Sequence, residues 1–437
     1  MKNSTPFSKH FLKEFANCQT GPFGSQLHEE DYVDDGTPIV TVEHLGEVEF
    51  SHQNLPFVSD ADKKRLSKYI LKEGDIVFSR VGSVDRCTYV SKCENGWMFS
   101  GRCIRVRCNS DISSKYLSFY FRLNSFKEMM RSIAVGATMP SLNTSLMDSI
   151  PLFLPEKSYQ KKVSDVLTCL DEKIKLNNRI NAELETMAKT LYDYWFVQFD
   201  FPDEKGRPYK SSGGKMVYNK VLKRKIPEGW TVNSMGDWVA DDKTGDWGKD
   251  IAEGNYSLPV DCIRGADING INGNDRLKPP LRYILQKNAQ KILSPLDLIV
   301  EISGGSPVQS TGRLAYLIDE TLDRFEHPLI CSNFCKAITL KNRCYFFNFA
   351  YQWKFIYDHG ILFGWEGKTS GIKNLLFDSF ATKYKVCMPP EKIAQNFYEC
   401  IYPLEKEKQK MLKENEKSSS LRDWLLPMLM NGQVKVG

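Results

Sequence analysis

The chain repeats itself. Gly21-Pro22-Phe23-Gly24-Ser25-Gln26-Leu27 and Gly245-Asp246-Trp247-Gly248-Lys249-Asp250-Ile251 both read Gly-x-aromatic-Gly, two polar residues and an aliphatic one, 224 positions apart. Ile70-Leu71-Lys72-Glu73-Gly74-Asp75-Ile76-Val77-Phe78 faces Ile292-Leu293-Ser294-Pro295-Leu296-Asp297-Leu298-Ile299-Val300 at a shift of 222, each run followed by a glycine, Gly82 or Gly304. Ser100-Gly101-Arg102-Cys103 aligns with Ser332-Asn333-Phe334-Cys335 at 232, and Asp148-Ser149-Ile150 with Asp378-Ser379-Phe380 at 230. Loop insertions between shared elements produce such a drift. A period this long makes each half a folding unit of its own.

Each half ends in a long helical segment. Apolar or small residues recur at alternating steps of four and three through Val163, Leu167, Leu170, Ile174, Asn177, Asn181, Leu184, Ala188, Leu191 and Trp195. Adding 230 gives Ile393, Phe397, Cys400, Leu404, Glu407, Met411, Glu414, Ser418, Leu421 and Leu425. A period of 3.5 sustained over about five heptads predicts a coiled-coil seam, against the alternative of two surface helices on separate domains. Its polar members, Asn177, Asn181, Glu407 and Glu414, would fix register at some cost in stability. A helix of about 38 residues spans roughly 57 Å, the length of about 17 base pairs.

Between the helices and the second half, the run from Phe199 to Lys225 holds Pro202, Gly206, Pro208, Ser211, Ser212, Gly213 and Gly214, and marks a boundary. Within the halves, short β-branched runs bounded by turn residues predict strands. Tyr116–Arg131 and Tyr345–Tyr357 read as helices. The fold class expected is α+β: two globular domains, mainly β with short helices, alternating with two long helices paired antiparallel about a pseudo-two-fold axis.

Composition serves mainly to exclude. The 437 residues suit about two to four domains. The formal charge of +5 allows nucleic acid as a partner without demanding it. The polar N-terminus does not read as a signal peptide, and no apolar run of about 18 residues predicts a membrane span. The twelve cysteines lack C-x-x-C spacing and the six histidines lack H-x-H or H-x-x-x-H spacing, so buried thiols in a reducing cytoplasm are expected, with no metal site. Gly367-Lys368-Thr369 fails as a phosphate loop, because Leu362 stands where its first glycine belongs. No G-x-S-x-G, no dinucleotide fingerprint and no Asp/Asn-Pro-Pro-aromatic loop occurs. A duplicated chain without a catalytic constellation favours binding over catalysis.

The sequence resembles the specificity subunits of type I restriction–modification systems. The residues that carry the resemblance are Leu191-Tyr192-Asp193-Tyr194-Trp195-Phe196-Val197-Gln198-Phe199-Asp200-Phe201-Pro202, Gly206-Arg207-Pro208-Tyr209-Lys210 and Ile226-Pro227-Glu228-Gly229-Trp230. Leu421-Arg422-Asp423-Trp424-Leu425-Leu426-Pro427-Met428-Leu429-Met430-Asn431-Gly432 is similar to the family's closing motif, and Gly74-Asp75-Ile76 through Gly82 to its G-D-I-x-x-x-x-x-G pattern. The second half departs from that pattern with Leu296 in place of the first glycine.

The resemblance implies target-recognition domains at 1–157 and 226–389, spacer helices at 158–198 and 390–431, and a linker at 199–225. Each domain would read one part of a bipartite site in double-stranded DNA. The helices would set the spacing and dock two modification (methyltransferase) subunits, joined by restriction (translocase and nuclease) subunits. The chain itself would be non-catalytic and hold no cofactor, with S-adenosylmethionine, ATP and magnesium in its partners, in the cytoplasm and away from membranes. The alternatives are a stand-alone DNA-binding regulator and a fused enzyme with its own methyltransferase site.

DNA contact requires cations for phosphates and hydrogen-bonding side chains for base edges. The candidates in the first half are Arg80, Arg86, Arg102, Arg105 and Arg107, with Thr138, Ser141 and Asn143 in a turn next to Gly136. Those in the second half are Arg313, Lys336, Lys368, Thr369, Ser370 and Lys373. The spacer seam is expected through Val163, Leu167, Leu170, Ile174, Leu184, Leu191 and Trp195 of one helix. From the other it takes Ile393, Phe397, Leu404, Met411, Leu421 and Leu425.

Overall fold

A computed structural model describes residues 7–436 apart from 25, 137, 276, 305–307, 370 and 371; the side chains of Lys368 and Thr369 also lie outside the description. The chain divides into two compact units, one formed by residues 1–174 and 417–437 and the other by 175–416. The division passes through both long helices.

In the first unit a four-stranded antiparallel sheet runs in the order Ala16–Thr20, Cys103–Cys108, Ile76–Ser79, Cys87–Tyr89. The second unit has Val239–Thr244, Cys335–Leu340, Asp297–Glu301 and Leu314–Tyr316 in the same order. The register repeats as well. Thr20 pairs with Ile104, and Thr244 with Lys336. Ile76 pairs with Val106, and Leu298 with Ile338. Each unit adds a smaller mixed sheet whose parallel ladder joins Val40 to Phe99 or Ile263 to Cys331. The offsets of 222, 224 and 232 read from the sequence are therefore offsets of hydrogen-bonded registers, which a one-residue slip would turn inside out.

A two-stranded ladder closes each unit, Ser8–Phe11 with Pro151–Leu154 and Thr231–Ser234 with Lys385–Met388. The long helices follow at once, Lys157–Tyr192 and Glu391–Met430. In the first unit, residues of the two helices share one core. Val163, Leu167, Leu426 and Leu429 pack with Phe78, Phe119 and Phe121, and the Tyr159 hydroxyl donates to the Val434 carbonyl at 2.9 Å. In the second unit, Phe397 lies 4.8 Å from Phe196 and 6.2 Å from Tyr192 between ring centroids, while Asn177 Nδ2 donates to Glu414 at 3.2 Å. Within either unit, rising numbers on one helix meet falling numbers on the other, so the segments run antiparallel.

Three expectations meet a different arrangement. Leu421, expected in the seam, is 46 % exposed, while Leu412 and Leu426, outside the projected stripe, are buried. The cause is a four-residue insertion between Asp378 and Lys385. It lifts the repeat offset from 230 to 234, the separation of the two helix starts. Four residues are one turn plus about 40°, enough to move a projected stripe off the buried face. The helix expected over Tyr116–Arg131 is two, Ser114–Tyr120 and Asn124–Ile133. The break lets the Arg122 guanidinium reach Asp171 at 2.7 Å and Phe121 pack edge-on against Phe78. The run after Phe199, expected as a linker, is folded onto the second core. Phe201 stacks on Tyr209 at 4.6 Å and packs on Trp230 at 5.2 Å. Asp200 accepts from the Ser211 N–H and hydroxyl at 2.7 and 2.6 Å, and those bonds hold its carboxyl below the usual range.

Among the described residues, no helix is long and apolar enough to cross a membrane, and no group of three or more His, Cys, Asp or Glu side chains is placed to hold a metal ion.

Candidate nucleic-acid interface

In the first unit, several candidates converge where the central strands of the larger sheet end. Arg80 follows Ile76–Ser79 and Arg102 precedes Cys103–Cys108, and the Arg80 N–H donates to the Arg102 carbonyl at 2.8 Å. The turn carrying Thr138 and Ser141 is bound to this corner. The Gly82 N–H donates to the Pro140 carbonyl and the Leu142 N–H to the Arg80 carbonyl, both at 2.9 Å, and Val81 bridges Ser141. Thr138 is exposed, and the Ser141 hydroxyl donates to the Val135 carbonyl at 3.2 Å. Arg102 is exposed, and among the described residues its side chain makes no hydrogen bond or ion pair. It borders an open groove of about 700 Å³ lined also by Phe23, Tyr32, Thr41, His44 and Asn54. An unpaired guanidinium on the wall of a polar groove is suited to phosphate or a guanine edge.

The other first-unit candidates are committed within the fold. Arg105 is buried, donating to the Lys68 carbonyl at 3.0 Å and to Gln19 at 2.6 Å, and burial pulls its pKa below the ordinary arginine value. Arg107 grips the buried Asp75 through two 2.7 Å hydrogen bonds. Arg86 is exposed but donates to the Leu45 carbonyl. Asn143 caps the helix Thr144–Asp148, its Oδ1 accepting from the Leu146 N–H at 2.8 Å.

The second unit builds a similar corner. Ser303 and Gly304 pair with Asn374 and Lys373 of the hairpin Glu366–Thr369/Ile372–Leu375, at the position where the first unit bridges Val81 to Ser141. Its cations are paired. Arg313 forms a bidentate pair with Glu301 at 2.9 and 2.6 Å, which raises its pKa above the ordinary value. Lys336 lies 2.6 Å from Asp242 and 3.3 Å from Asp378, and Lys373 lies 3.3 Å from Glu366. The backbones of Lys368 and Thr369 pair with Lys373 and Ile372. Their side chains, and Ser370 entirely, lie outside the described residues.

Of the seam candidates, Val163, Leu167, Trp195 and Phe397 are buried. Leu170, Ile174, Leu184, Leu191, Ile393, Leu404, Met411 and Leu425 are half-buried. Trp424 of the closing motif is exposed. The thiols of Cys103 and Cys331 are each pushed up to about 12 by burial, so neither is a thiolate at neutral pH.

Sequence reasoning passed over two side chains that the structure brings forward. Phe23 and Trp247, the aromatics of the repeated Gly-x-aromatic-Gly loops, are large apolar groups left exposed, Phe23 beneath Arg80 and Trp247 beneath Arg282. Their signal was in the sequence: an aromatic between two glycines, kept in both halves.

Residues 6–186 match the family described as Type I restriction modification DNA specificity domain. The chain is 22 % identical over 414 residues to the type I restriction enzyme MjaIX specificity subunit of Methanocaldococcus jannaschii, covering 93 % of this chain and 89 % of that one. It is 30 % identical over 170 residues to the type I restriction enzyme HindI specificity subunit of Haemophilus influenzae, covering 37 % of each. In fold it is similar to the crystal structure of the type I restriction–modification system S subunit from M. genitalium. The TM-score is 0.61 at 14 % identity, over 98 % of this chain and 97 % of that one.

Proposed function

We propose that this chain, which belongs to the family of type I restriction–modification specificity subunits, is the DNA-reading member of a methyltransferase and endonuclease complex. Each unit reads one part of a bipartite site in double-stranded DNA, and the long helices set the separation of the two parts. The observation that carries this reading is the repeated sheet register with a groove or hairpin at the same strand ends in both units. Two related surfaces on one chain suit two unlike half-sites better than one continuous site.

The role is recognition, with catalysis supplied by partners. Two modification subunits dock on the helices, and restriction subunits join them. S-adenosylmethionine, ATP and magnesium belong to those subunits, and the assembly works in the cytoplasm. In the first unit, Arg102 is the favoured DNA contact, with Arg80, Thr138 and Ser141 around it. In the second, the hairpin that carries Lys368, Thr369 and Lys373 takes that place. The paired Arg105, Arg107 and Arg313 support the fold beneath these surfaces.

The test is to co-express the chain with its modification subunit and map methylated bases genome-wide. The expected motif is asymmetric and interrupted by unread positions; a continuous motif, or none, overturns the reading. The helices of 36 and 40 residues allow a second check. Removing one matched heptad from each shortens them by about 10 Å and should contract the gap by about three base pairs.

A further inference from the structure

The Gly-x-aromatic-Gly loops are built alike in two units whose other surface residues differ. Each starts where an outer strand of the larger sheet ends, after Thr20 or Thr244. Each first glycine is required by contact. A Cβ on Gly21 would lie 2.1 Å from the Ser100 carbonyl oxygen, and one on Gly245 would lie 2.0 Å from that of Ser332. Any side chain there would push the loop off the sheet, so the loop is pressed onto the segment that leads into the central strand.

The loops are stiffened by different means. In the first, Pro22 fixes its own φ, and the Phe23 carbonyl accepts from the N–H groups of Gln26 and Leu27 at 2.7 and 3.2 Å. In the second, Asp246 accepts from Asn288 at 2.6 Å and from the Gly248 N–H at 3.1 Å. Both arrangements end in the same result. Phe23 stays 50 % exposed and Trp247 38 % exposed.

A guanidinium lies over each ring, Arg80 at 5.1 Å from Phe23 and Arg282 at 4.0 Å from Trp247. The two arginines come from unrelated places. Arg80 follows a central strand of the larger sheet, and Arg282 sits in the smaller sheet, where it also pairs with Asp250. A cation stacked on one face orients the ring and leaves its other face and edge open. A single exposed aromatic needs no explanation, but one at the matched position of both repeats, each under a guanidinium, points to a shared role. Phe23 also lines the groove beside the unpaired Arg102, so the apolar ring and the cation face one space.

We propose that Phe23 and Trp247 each make an apolar contact with a base in the part of the DNA site read by their own unit. The inference rests on the bipartite-reading function above and names specificity-determining residues for it. The ligand chemistry is an apolar base surface in duplex DNA, such as the 5-methyl group of thymine, which an aromatic ring meets without a hydrogen bond. The ring contributes to the choice of base, and cations such as Arg102 contribute salt-dependent affinity.

The test uses the full chain assembled with its modification subunits, and duplex oligonucleotides carrying the mapped site. Single base-pair changes are introduced along both ends of the site, and binding is measured against salt. F23A should weaken specific binding about tenfold and lose discrimination at one end of the site. W247A should do the same at the other end. Both should keep the slope of affinity against salt, and non-specific binding should be unchanged. R102A should lower that slope by about one and leave base preference intact. Because the rings are exposed, melting temperatures should match the parent. F23L and W247L, which keep an apolar side chain, should recover part of the lost discrimination. Full discrimination by F23A and W247A overturns the inference, as does an equal loss on all sequences or relaxation by both at the same end. If the parent complex itself prefers no bipartite site, the functional reading fails and the inference fails with it.

Discussion

At the helix offset of 234, Asp171 of the first unit corresponds to Glu405 of the second, and both carboxylates are buried. Asp171 is held by two arginines from outside its own helix, Arg122 at 2.7 Å and Arg422 at 2.9 Å. Burial acts to lower the Arg422 pKa, but its hydrogen bonds to Asp171 and Asp423 raise it above the ordinary value. Glu405 takes its cation from its own helix. The Lys408 ammonium lies 3.1 and 3.0 Å from the two Glu405 oxygens, and the Tyr351 hydroxyl donates to it at 2.9 Å. The repeat therefore keeps a buried acceptor at one helical position and changes what answers it. Asp171 clamps three segments of chain together. Glu405 is neutralised locally and receives one hydroxyl from the aromatic helix Phe346–Asp358. Equivalent positions in the two units have different mechanical weight.

Removing the clamp should have the largest effect. D171A leaves two arginines, both little exposed, without their shared anion, and should cost the first unit about 3–5 kcal/mol. Hydrogen exchange should accelerate in Ser114–Tyr120 and across 417–430, with the sheet of the second unit unchanged. Uniform acceleration in both units would remove the distinction between a clamp and a local pair.

K408M should cost less, about 1–3 kcal/mol, because it leaves one buried group short of a partner instead of two, and Glu405 keeps its bond from Tyr351. Burial already pushes the Tyr351 hydroxyl well above its ordinary pKa, with the nearby Glu405 charge adding to it, so the hydroxyl remains a donor. Urea midpoints for parent and variant at neutral pH test this. A loss as large as that of D171A would mean that the two buried carboxylates carry equal weight.

The repeat and the two long helices were legible because they rest on local signals: turn glycines, short β-branched runs and a heptad-like period. The bidentate clamp of Arg107 on Asp75 was not, since the partners lie 32 positions apart and a row of arginines on one strand reads as a basic face until its acids are located. Arg313 and Lys336 misled for the same reason, with Glu301 and Asp242 reaching them from neighbouring strands. Arg102 and Arg105 look equivalent in the sequence, three residues apart, yet one is exposed and the other buried. The strand enters the sheet between them. Register was readable; pairing was not, because it depends on what the neighbouring strand presents.

The smallest expected effect tests the helix phase. Projecting the first seam onto the second helix at 230 places Leu421 inside, whereas 234 places it on the open face, where it is 46 % exposed. Leu421→Ala should then change stability by no more than about 0.5 kcal/mol, as for an exposed site without special contacts. Leu426→Ala, five residues on and packed with Leu167 and Leu429, should cost about 2 kcal/mol or more. The pair shares residue type, helix and method, so the ratio of the two costs reads the phase directly. Equal costs would return the seam to Leu421 and with it the shorter offset. A large gap between the two costs supports the longer offset, set by the extra residues between Asp378 and Lys385, ahead of the strand that leads into the helix.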